Sequence, residues 1–545
     1  MKLVRVHVIA AETCGGLLDG LDLWLRDPNN EYALFDPLCL IGPNGAGKSQ
    51  FLQIVAEIFQ SVFHATISAE ERIEGNPDLQ FEVEYLIRPE GAKSDVHVRV
   101  ARFSEGKKRP SLAIQKYEGG EWIDCNLAST ETLTLLPRKI VGYTSGGNET
   151  LSLPFLLSRS GYATEVGERA VKEGVARDMA VPDTRLMLID YSTHLEVLVA
   201  NLLMASLDQR KAILDDARVD GLHSCRCVVQ LAHSAAPKAP SRLKYLSSRK
   251  GIQLTGELEG YLEQLQRCAT CYNYDEKTET YTFDFFVDQQ SSKAFHFFWD
   301  RALGLYSALH KLAMLNDLAI PKGTRDRFKR DTKARRFASK LPEPQDEDKV
   351  FRFEQVIFRA NAGKSVVDYV SLSDGEHQLA QLLGTFSMIS FPDVLFLLDE
   401  PESHFNPQWR VRFMSRLLEL PSENGARRGN TLSARQDCLL TTHAPFVPSD
   451  MSRDKVFIFG KDSETGRIIV RQPNVETYGT TFDGILSECF DVHPPISWEP
   501  RQEIKELMES NDVETIKAGI ERLGNSVEKV ILADRVRQLL KVEVK

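Results

Sequence analysis

Residues 42–49, Gly-Pro-Asn-Gly-Ala-Gly-Lys-Ser, combine three glycines with a lysine and a serine. Glycines in such a loop let backbone N–H groups turn inward around phosphate oxygens at a helix N-terminus. Lys48 has the reach to contact β- and γ-phosphates, and the Ser49 hydroxyl can hold Mg²⁺. The loop therefore predicts a site for ATP and Mg²⁺, with these residues as the nucleotide ligands: Asn44, Gly45, Ala46, Gly47, Lys48 and Ser49.

The segments on either side of the loop support this prediction. A short apolar run, 38–41, leads directly into it, and apolar residues at helical spacing follow over 51–63. A glycine-rich turn before a helix is the alternative. The strand–loop–helix order favours phosphate binding because the phosphates lie between a strand end and a helix start.

Two acidic residues, Asp399 and Glu400, follow the apolar run 394–398, which is typical of a buried parallel strand. Asp399 is predicted to bind Mg²⁺, and Glu400 to orient or deprotonate the attacking water. His443 ends a second apolar strand, 438–442, and is predicted to contact the γ-phosphate. Adjacent carboxylates also occur in surface turns, but their order after the phosphate loop favours catalysis.

Residues 371–376, Ser-Leu-Ser-Asp-Gly-Glu, precede an apolar helix face. The hydroxyl of Ser373 and the free amide of Gly375 suit a γ-phosphate. A capped helix without a ligand has the same pattern.

These motifs require a particular arrangement of elements. Alternation at 81–87 and 96–100 predicts antiparallel strands, and 139–144 predicts a further strand of the same lobe. The predicted regions are an N-lobe (1–150), an inserted mixed lobe (151–365), a C-lobe (366–470) and a helical C-terminal region (471–545). Within the insertion, helices are expected over 195–217 and 295–318, and three short helices near 499–510, 512–523 and 526–541 close the chain.

Composition limits the class of protein. The 545 residues are 42% hydrophobic and 26% charged, which predicts a folded globular chain. A run of about 18 apolar residues is absent, so we expect no membrane association. Nine cysteines without a signal-peptide pattern predict reduced thiols and a cytoplasmic location.

A basic stretch lies at 321–340. It contains nine lysines and arginines but two aspartates, in a chain of net charge -10. Phe328 and Phe337 lie among the charged residues. Such a stretch can neutralise phosphates and stack on bases, so it is the predicted RNA or DNA contact. A solvated helix or a linker is the alternative.

Cysteines in the middle of the chain raise the question of zinc. Cys225 and Cys227 are followed by Cys268 and Cys271, with His223 nearby. This is not a standard zinc spacing, so buried free thiols are favoured over a metal site.

Taken in order, the four motifs resemble those of ABC-type ATPases of the RecF/SMC/OLD group. The resemblance covers roughly 1–145 and 365–460. It implies an α/β, ABC-type P-loop ATPase head with a mixed sheet and an antiparallel lobe. It also implies a head-to-tail homodimer that sandwiches two ATP molecules, each between the phosphate loop of one subunit and the signature loop, residues 371–376, of the other. Asp374, Glu376 and Asn406 depart from the family pattern, which implies slow hydrolysis.

Residues 136–146 and 373–378 and the chain length also resemble PtuA-type ATPases of Septu and retron antiphage systems. This implies an HNH nuclease partner, with a retron reverse transcriptase and its RNA/DNA as further partners. The three C-terminal helices either dock a partner or cap the fold. A RecF-like DNA-repair clamp is the second hypothesis, and a transporter motor subunit is the third.

Overall fold

The computed structural model describes residues 1–12, 15–104, 110–146, 149–172, 175–191, 193–215, 217, 219–233, 249, 251–333, 344–360, 365–422, 425–427 and 435–543. The strands are β1 (Lys2–Ala10), β2 (Leu21–Trp24), β3 (Leu38–Ile41), β4 (Gln80–Ile87), β5 (Val96–Phe103), β6 (Ser111–Glu118), β7 (Glu121–Asp124), β8 (Lys139–Thr144), β9 (Leu186–Ile189), β10 (Val219–Gln230), β11 (Cys271–Asp275), β12 (Thr280–Phe286), β13 (Phe351–Ala360), β14 (Val366–Asp368), β15 (Val394–Asp399), β16 (Pro421–Ser422), β17 (Gly425–Ala426), β18 (Asp437–Thr442), β19 (Val456–Lys461) and β20 (Ile468–Arg471).

The helices are α1 (Lys48–Thr66), α2 (Thr130–Thr134), α3 (Glu149–Ala170), α4 (Val175–Asp178), α5 (His194–Met204), α6 (Leu207–Leu214), α7 (Gly256–Cys268), α8 (Gln289–Phe298), α9 (Ala302–Met314), α10 (Asn316–Ala319), α11 (Lys322–Lys333), α12 (Asp374–Met388), α13 (Pro407–Glu419), α14 (Phe446–Ser449), α15 (Phe482–Phe490), α16 (Trp498–Glu509), α17 (Val513–Arg522) and α18 (Val527–Glu543). Among them, none combines the length and hydrophobicity that a bilayer crossing requires.

A seven-stranded central sheet carries the chemistry. Its strand order is β20-β19-β3-β18-β15-β8-β9, and every neighbouring pair except β19–β20 is parallel. The strands β3, β15 and β18 are buried along their whole length, as expected for strands covered on both faces. Because they are parallel, the phosphate loop, Asp399 and Thr442 all emerge at one edge of the sheet.

A six-stranded antiparallel sheet, β2-β1-β4-β5-β6-β7, forms the second layer. Helix α1 lies between the two sheets: Phe51 and Phe59 belong to one buried cluster that contains Val83 of β4 and Leu397 of β15. Both sheets therefore hold the helix that begins at the phosphate loop. This arrangement confirms the predicted α/β fold with a mixed sheet and an antiparallel lobe.

Strand β8 belongs to the central sheet. The sequence predicts a strand of the N-lobe over 139–144, and β8 forms there, paired in parallel with β15 in the central sheet. Its run of five consecutive buried residues explains this, because an antiparallel strand with one wet face would alternate. Strand β9, from the region 151–365, extends the same sheet beyond β8.

The middle of the chain adds a five-stranded antiparallel sheet, β11-β12-β10-β13-β14. The helix expected over 195–217 is two helices, because Ser206 forms a capping box with Gln209 and starts α6. The helix expected over 295–318 is likewise divided among α8, α9 and α10.

The C-terminal region ends in α16, α17 and α18, close to the three ranges that the sequence predicts. They enclose a small hydrophobic cluster of their own, built around Ile516 and Leu532, which are fully buried. Arg501 of α16 donates a hydrogen bond of 2.8 Å to the backbone oxygen of His493, and this joins the three helices to the segment after α15.

Candidate active site

Gly42 and Gly47 show why the phosphate loop needs glycine. Gly42 has φ 144°, and a Cβ there would lie 2.1 Å from the backbone oxygen of Phe459 in β19. Gly47, the N-cap of α1, has φ 85°. Both are backbone conformations that favour glycine, so the loop can curl tightly into the helix start.

Lys48 and Ser49 begin α1, and their side chains bind different partners. The ammonium of Lys48 donates to the backbone oxygens of Gly42 and Pro43, at 2.8 and 3.1 Å, and so lies over the loop. Burial lowers the pKa of Lys48 to about 8, although Glu400 and Asp399 oppose the shift. The Ser49 hydroxyl donates to Asp399 Oδ1 at 2.9 Å.

Asp399 ends β15 and is held from two sides. Besides the bond from Ser49, its Oδ1 accepts a hydrogen bond of 2.6 Å from Thr441 Oγ1 on the neighbouring β18. Thr441 also accepts from the backbone N–H of Glu400 at 3.0 Å. Burial raises the pKa of Asp399, while these two hydroxyl donors favour its ionised form. Ser49 and Asp399 therefore present oxygens of the kind that Mg²⁺ prefers.

Glu400 and His443 form a pair at the mouth of the site. His443 Nε2 lies 3.0 Å from Glu400 Oε1, and this hydrogen bond is the main cause of the lowered pKa of Glu400. Glu400 has φ 48°, a strained conformation for a residue with a side chain. The strain turns a carboxylate out of the strand end toward His443, where both side chains remain partly exposed.

An open cavity of about 450 Å³ adjoins this pair. Pro43 and Asn44 of the phosphate loop, Glu400, His443 and Phe490 line it. Phe490 is the last residue of α15 and was not predicted from the sequence, since it lies 47 residues after His443 with no motif around it. A ligand held by the phosphate loop would contact an aromatic wall there.

The signature loop has a different local role within this chain. Ser373 N-caps α12 in a capping box: its Oγ and backbone N–H both donate to Glu376 Oε2 at 2.8 Å. Ser373 and Asp374 are exposed. Gly375 is buried, and a Cβ there would lie 2.9 Å from the backbone oxygen of His404. Glu376, which departs from the family pattern, thus stabilises the start of the helix.

Asn406, the other departure, also caps a helix. Its side chain accepts a hydrogen bond of 3.0 Å from the backbone N–H of Trp409 at the start of α13. The last residues of the turn 400–406 therefore lie between Gly375, which is close to His404, and the capped start of α13.

The residues present fit ATP and Mg²⁺. The curled loop, the buried ammonium of Lys48 and the free helix start provide donors for phosphates, and Ser49 with Asp399 provides oxygens for the cation. The structure brings together the predicted residues Lys48, Ser49, Asp399, Glu400 and His443. It places Ser373 and Gly375 on the separate turn at the start of α12.

The middle sheet separates Cys271 from Cys225 and Cys227. Cys225 and Cys227 lie opposite Phe285 and Phe283 in the middle sheet, on its buried face. Cys271 pairs with Asp284 and so lies on the other face. Within the described residues no group of three or more His, Cys, Asp or Glu side chains could hold a metal ion.

Two residues of the basic stretch face inward. Arg325 donates to the backbone oxygen of Ile320, and Phe328 packs with Ile320 in a small buried cluster. Neither is available to nucleic acid, contrary to the prediction for Phe328, whereas Lys322, Arg327 and Arg330 are exposed. Phe337 and the rest of 334–340 lie outside the described residues.

The chain is similar to one family of known proteins and to solved structures. Residues 274–450 match the family model "AAA domain, putative AbiEii toxin, Type IV TA system". This range includes the signature loop, Asp399, Glu400 and His443, and the match supports an ATPase domain. No curated protein matches the chain. Among solved structures, the SMC head domain from Thermotoga maritima aligns over 87% of this chain and 100% of its own, with 11% identity and a TM-score of 0.32.

Proposed function

We propose that this protein binds Mg²⁺–ATP and hydrolyses it slowly. The observation that carries the proposal is the convergence of Ser49, Asp399 and Thr441 through hydrogen bonds beside the Glu400–His443 pair. These residues come from the ends of two neighbouring parallel strands, β15 and β18, and from the start of α1. That is the edge of the sheet at which α/β proteins bind ligands.

Each side chain has a task in this reaction. Lys48 neutralises phosphate charge, and the loop amides orient the phosphates for in-line attack. Glu400 accepts a hydrogen bond from the attacking water, and His443 holds the carboxylate in position through Nε2. Bound Mg²⁺ supplies charge neutralisation for the phosphate oxygens, with Ser49 and Asp399 as its protein ligands.

The test is phosphate release by the full-length protein and by Glu400→Gln, with Glu419→Gln as the control because Glu419 is exposed on α13. Loss of the base lowers kcat by about 100-fold or more, while the control remains within about two-fold of wild type. Equal rates in all three proteins would refute the assigned base.

A homodimer completes the site in this proposal. Ser373 and Asp374 are exposed at the start of α12, where helix N–H groups favour an anion. A second copy could therefore present this turn to the γ-phosphate. Sedimentation velocity of Glu400→Gln with ATP should show a dimer. The double variant Glu400→Gln/Ser373→Arg should remain monomeric, because the larger side chain blocks the approach of the second copy.

The biological role we propose is antiphage defence, as a PtuA-type ATPase that controls an HNH nuclease. Support comes from the sequence resemblance and from the toxin named in the description of the matching family. Affinity purification from the native host, followed by mass spectrometry, should recover a nuclease, with or without a reverse transcriptase. Recovery of repair factors or bulk DNA alone would favour a RecF-like clamp.

Nucleic-acid binding through 321–340 remains part of the proposal. Lys322, Arg327 and Arg330 are exposed on α11, although Arg327 forms an ion pair of 3.4 Å with Asp331. Reversing the charge of Lys322, Arg327 and Arg330 should weaken RNA or DNA binding and flatten its salt dependence. Unchanged binding would exclude the described part of the stretch.

A further inference from the structure

A buried carboxyl group lies next to the active site without a part in the reaction described above. Glu402 follows Glu400 and Pro401 in the turn after β15, and the residue is 3% exposed. Its Oε1 accepts a hydrogen bond from Thr442 Oγ1. Its Oε2 has no hydrogen-bond partner. A buried carboxyl with one unpartnered oxygen is costly, so a purely structural role is poorly explained.

The hydrogen-bond partner of Glu402 is the residue directly before His443. Thr442 ends β18 and immediately precedes His443. Its Oγ1 also accepts a hydrogen bond of 2.9 Å from the backbone N–H of Ala444. One hydroxyl therefore connects Glu402 to the backbone on both sides of His443.

The other end of the connection is the turn 400–406. The backbone oxygen of Glu402 accepts from Phe405 N–H at 3.0 Å, and Arg410 donates to the backbone oxygen of Ser403 at 2.7 Å. The backbone oxygen of His404 is the atom against which Gly375 packs. The turn that contains Glu402 is thus held by hydrogen bonds of its own backbone, and it adjoins the start of α12.

The charged and titratable groups around Glu402 come from several elements. Arg410 on α13 favours its ionised form, and Glu400 opposes it, while burial is the largest effect and raises the pKa of Glu402 to about 7. Cys39 on β3 lies close enough for Glu402 to raise the pKa of its thiol, and Cys489 on α15 acts on Cys39 in the same direction. Near neutral pH both protonation states of Glu402 are populated.

We propose that Glu402 is a positioning residue for ATP hydrolysis: through Thr442 it holds the 442–444 backbone so that His443 Nε2 meets Glu400 Oε1. The inference rests on the proposed ATPase function. It assigns a role to the second glutamate of the Asp-Glu-Pro-Glu sequence at 399–402. It also connects the turn 400–406, which adjoins α12, to His443 at the proposed ATP site.

The test compares Glu402→Ala, Glu402→Gln, Thr442→Val and Thr442→Ser in the full chain. Glu402→Ala and Thr442→Val should each lower kcat about 10-fold while KM and ATP affinity change by less than about two-fold. The double variant Glu402→Ala/Thr442→Val should be no slower than either single variant, because each single change already removes the same Glu402–Thr442 hydrogen bond. Thr442→Ser keeps the hydroxyl and should restore most of kcat.

A matched control separates positioning from general stability. Glu71 is also buried, its pKa is also raised to about 7 by burial, and it accepts a hydrogen bond of 2.6 Å from Ser158 Oγ. Glu71→Ala should lower the thermal midpoint as Glu402→Ala does, but leave kcat unchanged. Equal losses of kcat in the two variants would overturn the proposal.

The pH profile provides a second readout. Wild-type kcat should show an inflection near pH 7 that Glu402→Gln removes, since an amide cannot titrate. An inflection retained in Glu402→Gln would contradict the assignment. If wild-type protein shows no ATP hydrolysis at all, the proposed function fails; if it hydrolyses ATP and Glu402→Ala matches it, only this inference fails.

Discussion

Thr441 Oγ1 and Asp399 Oδ1 are joined by a hydrogen bond of 2.6 Å at directly opposite positions of β18 and β15. The same Oγ1 accepts the backbone N–H of Glu400, so one buried hydroxyl fixes the proposed metal ligand and the proposed base. A neighbouring strand therefore sets the geometry of both acidic residues. This relationship is invisible in the local sequence around Asp399.

Replacing Thr441 tests that relationship. Thr441→Val keeps the shape but leaves Asp399 and the Glu400 N–H without their shared partner, so kcat should fall by about 10–100-fold. Thr441→Ser retains the hydroxyl and should stay within about three-fold of wild type. Phosphate release under saturating Mg²⁺–ATP measures both. A Val variant as active as wild type would show that the hydroxyl is dispensable.

Gly42 should tolerate no side chain. In Gly42→Ala the new Cβ meets the Phe459 backbone oxygen at 2.1 Å, at a φ of 144°. The expected loss of unfolding free energy is about 3 kcal/mol, from backbone strain and overpacking together. Chemical denaturation measures it. Gly524→Ala, where no atom lies within 4 Å of the added Cβ, is the control and should be nearly neutral.

Phe490 should contribute to nucleotide binding. Phe490→Ala removes the aromatic side chain from the cavity that Pro43 and Asn44 also line, and we expect ATP affinity to fall about 10-fold. Phe490→Leu keeps an apolar wall and should lose less. Calorimetric titration of both variants gives the comparison. If the two variants bind ATP as wild type does, α15 takes no part in the site.

The pH dependence of ATP binding should follow Lys48. Its pKa in the free protein is about 8, because burial disfavours the ammonium. Affinity should be constant below that pH and should fall as pH rises through about 8, since the neutral amine no longer attracts phosphate. The Lys48→Arg side chain keeps its charge over this pH range and should remove the decline, even if the variant binds ATP more weakly overall. A decline of the same size in the Arg variant would assign it to another group.

The fold was predictable where the pattern was continuous. The apolar run of β15 and the glycine-rich loop before α1 each identify an element without tertiary information. Helix periodicity over 195–217 concealed a break, because the capping box at Ser206 starts a new helix while apolar residues continue on both sides. Local capping outweighed periodicity at that position.

Within the site, residue identities were accessible from the sequence and their connections were not. Lys48, Ser49, Asp399, Glu400 and His443 belong to motifs, and each lies at the same edge of the central sheet. Phe490 and the Glu402–Thr442 bond depend on which strands and helices become neighbours. Strand order separates β3 from β15 by β18, and no spacing along the chain contains that information.

The assignment of residues 42–49 as the ATP site is tested most directly by equilibrium binding of ATP, with and without Mg²⁺, to wild-type protein, Lys48→Ala and Ser49→Ala. We expect tight binding to wild type, a loss of affinity of about 100-fold in Lys48→Ala, and a loss of the Mg²⁺ dependence in Ser49→Ala. Binding to Lys48→Ala that equals wild type, with its Mg²⁺ dependence intact, would contradict the assignment of this loop as the ATP site.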